Sequence, residues 1–235
     1  MNSIAIILTV YKNDQFDVFR ESLQSLYDQF IEQINIYVQE DGEVSIEIHD
    51  FLIRQLEDEK IKYLGERSKN KGFDYSLNEL ITIVMGLGYE FIARMDADDI
   101  ANPQRIEKQL NFMQKNQSID VCGSHIQEFG DSFNYNKIVN YPLNHNKMFN
   151  FFNKRVPLAH VSAFFRRSYF VKAGLYKLDG HLNNGDTLMW MSGFMNECNF
   201  ANVDIIGVRV RVSSDFFNRR GGWKKTSADF KNRML

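Results

Sequence analysis

Three carboxylates fall within four positions at Asp96-Ala97-Asp98-Asp99. Acidic side chains this close repel when ionised, so they need a cation or a set of strong donors beside them. Oxygen ligands of this type suit Mg²⁺ or Mn²⁺, held jointly with substrate phosphates. The cluster follows a short apolar run, 89–95, that reads as a buried strand. Carboxylates at the carboxyl end of such a strand sit where open α/β sheets bind their ligands. The structural alternative is that Asp98 or Asp99 caps the helix that follows.

A loop of this kind needs a sheet to carry it, and the first half of the chain supplies the pattern for one. Residues 4–10 are continuously apolar, as in a strand buried on both faces. Phe16, Phe19, Leu23, Leu26, Tyr27 and Phe30 recur every three or four positions, which predicts an amphipathic helix. Further strands are expected at 34–38, 61–64, 91–95 and 119–122. A helix is expected over 46–59 with Phe51, Leu52 and Leu56 inward, and another around Leu77, Leu80, Ile81 and Val84 that Gly86 and Gly88 close. Asn102-Pro103 reads as a cap followed by proline at the first helical position, with Ile106, Leu110 and Met113 on the buried side. This βαβα order predicts a largely parallel sheet with right-handed crossovers. The second half is less regular and rich in aromatics, with a strand expected over 203–212 and a loop over 215–222.

Composition narrows the function classes. The chain has 235 residues, 44% hydrophobic and 25% charged, as a soluble globular protein with a full core has. No apolar stretch reaches the roughly 18 residues of a membrane span. Residues 1–8 carry no basic n-region and no small-residue cleavage site, so they read as a first core strand, not a signal peptide. Cys122 and Cys198 have no partner at zinc-ligand spacing and read as buried thiols in a reducing compartment. The histidines at 49, 125, 145, 160 and 181 form no metal pair at helical spacing. Charge is uneven: residues 205–235 hold eight basic and two acidic residues, a net +6, so residues 1–204 carry −8 within a total of −2. A basic tail on an acidic body points to a polyanion or an anionic surface. With no stripe of basic and aromatic residues through the body, nucleic acid is not expected.

Several strand ends then line up: Leu8-Thr9-Val10-Tyr11, Glu40-Asp41-Gly42, Asn70-Lys71-Gly72 with Asn78, and Asp96-Ala97-Asp98. Together they resemble the family 2 glycosyltransferases of GT-A fold, in order and spacing, over roughly residues 3–115. His160 to Arg167 with Gly174-Leu175-Tyr176 is similar to that family's mid-domain segment. Asn184 to Trp190 is similar to the segment that supplies its base, and Arg211 through Arg219-Arg220-Gly221-Gly222 to the tail of bacterial O-antigen or capsule members. The departures are Thr9 for proline, Lys12 for asparagine, Glu40 for the first Asp of Asp-Asp-Gly, Leu77 for arginine and Gly185 for glutamate.

The resemblance implies an α/β GT-A domain over 1–204, with a nucleotide half about 1–120 and an acceptor half about 121–204. The last strand and a basic segment make up 205–235. It implies an inverting, metal-dependent hexosyl transfer, glucose or galactose, from a UDP-sugar to a sugar on a polyprenyl diphosphate. The setting would be the cytoplasmic membrane face during O-antigen or capsule synthesis. Thr9, Tyr11 and Asp41 would bound the uracil. Asn70, Gly72, Asn78, Arg94 and Ala97 would complete the donor site. Asp98 would ligate Mn²⁺ or Mg²⁺, with Asp96 sharing the metal or holding the ribose. Asp186 would take the acceptor proton, a role worth roughly 10²–10⁴-fold in rate. His160, Arg211, Arg219 and Arg220 are candidates for the acceptor or a diphosphate, since guanidinium forks suit phosphate oxygens. Trp223, Lys224, Lys225, Phe230, Lys231 and Arg233 could rest on an anionic membrane. Plain structural readings stand beside these: a capped turn at Asp41-Gly42, a core Tyr11, a helix cap at Asp186 and a solvated turn at Arg219-Arg220. Rival functions are a nucleotidyltransferase and a non-catalytic UDP-sugar-binding scaffold. The first usually opens with a glycine-rich loop, and Tyr11-Lys12-Asn13-Asp14 is not one.

Overall fold

The computed structural model describes residues 4–32, 34–130, 135–178 and 185–212. The basic segment with Arg219 and Arg220 lies outside them. The elements run β1 (Ile4–Val10), α1 (Phe16–Tyr27), β2 (Ile34–Glu40), α2 (Ile46–Glu57), β3 (Tyr63–Gly65), α3 (Phe73–Gly86), β4 (Phe91–Arg94), β5 (Ile100–Ala101) and α4 (Arg105–Lys115). There follow β6 (Val121–Gly130), β7 (Tyr135–Val139), α5 (His145–Phe152), a 3₁₀ turn at His160–Ser162, β8 (Phe164–Arg166), α6 (Arg167–Ala173), α7 (Gly185–Met195) and β9 (Phe200–Arg211).

One sheet runs β3-β2-β1-β4-β8-β6-β9-β5, with β7 paired to the outside of this path on β6. The first four strands are parallel. β8 then lies antiparallel between β4 and β6, and β9 runs parallel to β6. β1 is buried throughout because both faces are covered. Ile4, Ile6, Leu8 and Val10 pack under α1, α2 and α4 through Phe19, Leu23, Ile48, Leu52 and Ile106. Ala5 and Ile7 face the other way, toward Leu77, Leu80, Ile81 and Val84 of α3 and the Phe165, Tyr169 and Trp190 cluster. This period-two alternation of large apolar side chains is what a two-faced core demands.

Local chemistry sets the element ends. Ser45 Oγ accepts from the Ile48 amide and starts α2, and Asn144 Oδ1 accepts from the Lys147 amide and starts α5. Gly88, at φ +84°, turns the chain out of α3, with its amide returned to the Met85 carbonyl.

Several expectations are corrected. α1 ends at Tyr27, and Phe30 is 65% exposed because its amide is tied to the Pro103 carbonyl across the molecule. Leu56 is exposed, while Ile48 takes the inward position. Asn102-Pro103 does not open a helix: the Asn102 carbonyl accepts from the Arg105 amide in a turn, and α4 begins two residues after the proline. β6 extends well beyond 122, β9 starts at Phe200, and α5, α6 and β7 fall in the irregular half.

Candidate functional site

The acidic loop joins β4 to β5 at the carboxyl end of the parallel strands. The Met95 amide still bonds the Ile7 carbonyl of β1, and Ser22 Oγ of α1 holds the Asp96 carbonyl at 2.9 Å. Beyond that the chain leaves the sheet. The carboxylates of Asp96, Asp98 and Asp99 each offer an oxygen, all within 4.8 Å of one another. They are held differently. The Arg94 guanidinium, itself buried, bonds Asp96. Asp99 is buried and accepts the Arg211 amide at 2.8 Å, while Arg211 Nε donates to the Asp98 carbonyl at 3.0 Å. Arg211 also reaches Glu21 of α1. The end of β9 thus fastens the loop from outside.

Asp98 is exposed, yet protein atoms crowd its carboxyl. Their desolvation, and next the charge of Asp96, push it up to about 6. Burial, then Asp98 and Asp96, hold Asp99 well above the usual carboxylate range. Asp14 faces the same charges: burial pushes it up to about 7 despite its bond from the Tyr11 amide, and Asp98 and Asp96 raise it further. Clustered oxygens whose negative charge is incompletely offset fit a hard divalent cation, with Asp98 the most open of the three.

The second wall is built around Asp41, one residue past β2. Its amide bonds the Val10 carbonyl, and its carboxylate accepts the amides of Lys71 at 2.8 Å and Gly72 at 3.0 Å. Asn70 Nδ2 donates to the Asp41 carbonyl, and Arg67 lies 3.4 Å from its carboxylate. Gly42 has φ +85°, and a Cβ there would sit 2.7 Å from the Asn70 backbone nitrogen, so only glycine allows the two loops to close. Glu40 turns instead to His49 Nδ1 at 3.1 Å, and that pairing raises His49 above its ordinary value.

The third wall carries the acceptor-side candidates. Asp186 lies in the first turn of α7, with the Thr187 amide on its Oδ1 at 2.8 Å. His160 Nε2 lies 2.6 Å from the Tyr176 hydroxyl, and the His160 ring meets Phe73 and Trp190 edge-on. Burial, then the Arg94 charge, keep His160 well below its ordinary value, so it is neutral. The Arg94 guanidinium lies over the Phe73 ring at 4.9 Å. Tyr176 is within electrostatic reach of Arg94, Asp74, Asp186 and Asp96.

The structure therefore brings Arg94, Asp96, Ala97, Asp98 and Arg211 into one loop assembly, and Asp41, Asn70 and Gly72 into another. Thr9 is buried on β1 opposite Gln39, and Tyr11 stands 40% exposed just past the strand. Both amide atoms of Asn78 are bonded to the Tyr176 backbone at 2.8 Å, so this side chain joins α3 to the segment that follows α6. Sequence reasoning passed over Asp14, Arg67, Asp74 and Arg105. The first two stand near motif residues and were within reach of a closer reading. Asp74 and Arg105 carry no motif signal and emerge only from the packing.

A parallel half ending in a carboxylate loop, continued by mixed strands, defines a GT-A-type fold. The chain belongs to glycosyl transferase family 2, which matches residues 5–174. Among its relatives is the amylovoran biosynthesis glycosyltransferase AmsE of Erwinia amylovora, 26% identical over 93% of this chain and 80% of the relative. Another is the UDP-Gal:alpha-D-GlcNAc-diphosphoundecaprenol beta-1,3-galactosyltransferase of Escherichia coli, 25% identical over 97% and 80%. S. aureus TarS 1-349, solved in complex with UDP-GlcNAc, superposes with a TM-score of 0.69 at 16% identity, over 99% of this chain and 64% of that one. The chain spans 43% of the longer TarS chain. The mannosyltransferase PcManGT from Pyrobaculum calidifontis, in complex with GDP-Man and Mn2+, has a TM-score of 0.64 at 14% identity, over 93% of this chain and 58% of that one.

Proposed function

We propose that this glycosyltransferase moves a hexose, glucose or galactose, from a UDP-sugar to a saccharide on a polyprenyl diphosphate during assembly of a bacterial surface polysaccharide. The observation that supports this reading is the acidic cluster of Asp96, Asp98 and Asp99 with the buried Arg94 bonded to Asp96, together with Asp186 in the first turn of α7. Asp41 and the 70–72 loop bound the nucleoside, with Tyr11 offering an exposed ring beside them. Asp98 and Asp96 are the residues that would hold Mn²⁺ or Mg²⁺. Such an ion offsets the charge that grows on the departing diphosphate.

In the transfer, an acceptor hydroxyl gives its proton to Asp186 as its oxygen attacks the anomeric carbon. The bond from that carbon to the diphosphate breaks, and UDP leaves on the opposite face. A single displacement inverts the centre, so an α-linked donor yields a β-linkage. The naming of the Escherichia coli relative supports the lipid-diphosphate acceptor and a galactosyl donor. No helix among the described residues is long and apolar enough to cross a membrane. Contact with an anionic bilayer is assigned to the basic residues 223–235, and loss of vesicle co-sedimentation on their removal is the check.

The deciding experiment is Asp186→Asn. Transfer should fall by about 10²–10⁴-fold while UDP binding is kept. Equal loss of both would refute the assignment.

A further inference from the structure

Asp74 belongs to none of the motifs. It stands in the first turn of α3, and its carboxylate lies against the Cα of Gly185, so that a Cβ at 185 would run into both of its oxygens. Glycine at 185 therefore opens a slot at the start of α7. Asp74 fills it, one residue along from Asp186. The carboxylate is half-buried, and no hydrogen-bond donor among the described residues reaches it. Burial and the Asp186 charge raise it, and Arg94 acts the other way. A partly desolvated carboxylate with no donor is costly unless a ligand supplies one. Beside it the exposed Phe73 ring offers an apolar face. Few polar groups placed next to an aromatic surface are the usual lining of a small-ligand site.

We propose that Asp74 is a further acceptor-binding residue, accepting a hydrogen bond from a sugar hydroxyl next to the one that Asp186 deprotonates. This rests on the reading of Asp186 as the base. A purely structural role is the alternative, since an acidic residue in a first turn also favours its own helix.

Asp74→Asn, Gly185→Ala and the double variant separate these. Gly185→Ala keeps the carboxylate but pushes it, as the movable end of a side chain, out of the slot. Initial rates are measured with UDP-galactose and UDP-glucose on N-acetylglucosaminyl diphosphate carrying a synthetic alkyl chain, and UDP binding by calorimetry. Each single variant should raise the acceptor KM about tenfold to a hundredfold. Donor KM and UDP affinity should stay within about twofold. The double variant should be no worse than Asp74→Asn, because both changes remove the same carboxylate from one position. An unchanged acceptor KM in Asp74→Asn, additive effects, or a parallel fall in UDP affinity and melting temperature would each overturn the inference. So would a collapse of kcat at constant KM, which would make Asp74 the base. A wild type that binds UDP yet transfers neither sugar would remove the proposed activity, and this inference with it.

Discussion

Arg105 is the residue whose loss should propagate furthest. It is fully buried behind the acidic loop, and no carboxylate among the described residues is bonded to it. Nη2 donates to the carbonyls of Arg94 at 2.7 Å and Val161 at 3.0 Å, and Nε donates to Gln109 Oε1 at 3.1 Å. Gln109 passes the link to the Ser162 carbonyl at 2.8 Å. One guanidinium thus ties α4 to the end of β4 and to the 3₁₀ turn beside His160. Burial, then the Arg94 charge, push it down to about 9, which leaves it protonated at neutral pH. Arg105→Met fills much of the same volume but strips three oxygen acceptors of a charged donor. An orphaned buried acceptor costs about 1–3 kcal/mol, and the sum is partly offset because no ion need then be kept out of water, a relief of several kcal/mol. The net expectation is a loss of about 3 kcal/mol. With a urea slope of about 2 kcal/mol/M, the unfolding midpoint should fall by about 1.5 M at unchanged slope. Arg105→Lys, lacking the fork, should recover less than half of that. A midpoint for Arg105→Met within about 0.3 M of wild type would refute the reasoning, because it would mean the carbonyls find other donors.

Three further outcomes are expected. Asp98→Ala should lose the Mn²⁺-dependent part of UDP binding in calorimetry, with the chelated wild type as reference; equal binding with and without the ion in wild type would argue against a metal at this loop. The raised carboxyls of Asp14, Asp98 and Asp99 favour the folded state when protonated, so their contribution is present at low pH and lost as pH rises through about 6 to 7. In chelator the protein should therefore melt higher at about pH 5.5 than at about pH 8, and excess Mn²⁺ should reverse that order, since ligation needs the deprotonated forms; a higher melting point at the upper pH without metal would contradict this. Gly42→Ala forces a side chain into a left-handed conformation and against the Asn70 backbone, which should cost about 1–3 kcal/mol and weaken UDP binding; unchanged affinity would detach the 70–72 loop from the nucleoside.

The first half of the chain was readable because its rules are local. A strand covered on both faces is apolar at nearly every position, and β1 is, with Thr9 the exception. The loops that end such strands carry the acidic and glycine residues that ligand binding needs, so Asp41, Asp96 and Asp98 stood out in order. The second half obeys longer-range rules. β6 includes Ser124, His125, Gln127 and Glu128, which read as non-strand until β7, β8 and β9 are placed beside them. His125, for instance, accepts the Tyr141 amide on Nδ1 and meets Asp204 through Nε2. At Asn102-Pro103 the capping signature was outcompeted by a turn that Phe30, three residues past α1, helps to hold. Arg105 and Asp74 could not be found from spacing, because a buried cation and a carboxylate resting on a distant glycine are defined only by what packs against them.

The grip of Arg211 on the acidic loop has a temporal side. Its bonds to Asp99 and Asp98 span 112 and 113 residues of chain. Contacts so distant in sequence form late, because a long loop must close before they repay its entropy. During synthesis the parallel half can assemble while β9 is still inside the ribosome, but its carboxylates then lack their outer fastening. Donor binding should accordingly mature last. A stalled nascent chain ending before Arg211 should show no Mn²⁺-dependent UDP binding, and one extended past the exit tunnel should gain it; binding by the shorter chain would place the loop's order in the parallel half alone. The acidic loop would then become competent only once α7, which precedes β9 in the chain, has been made.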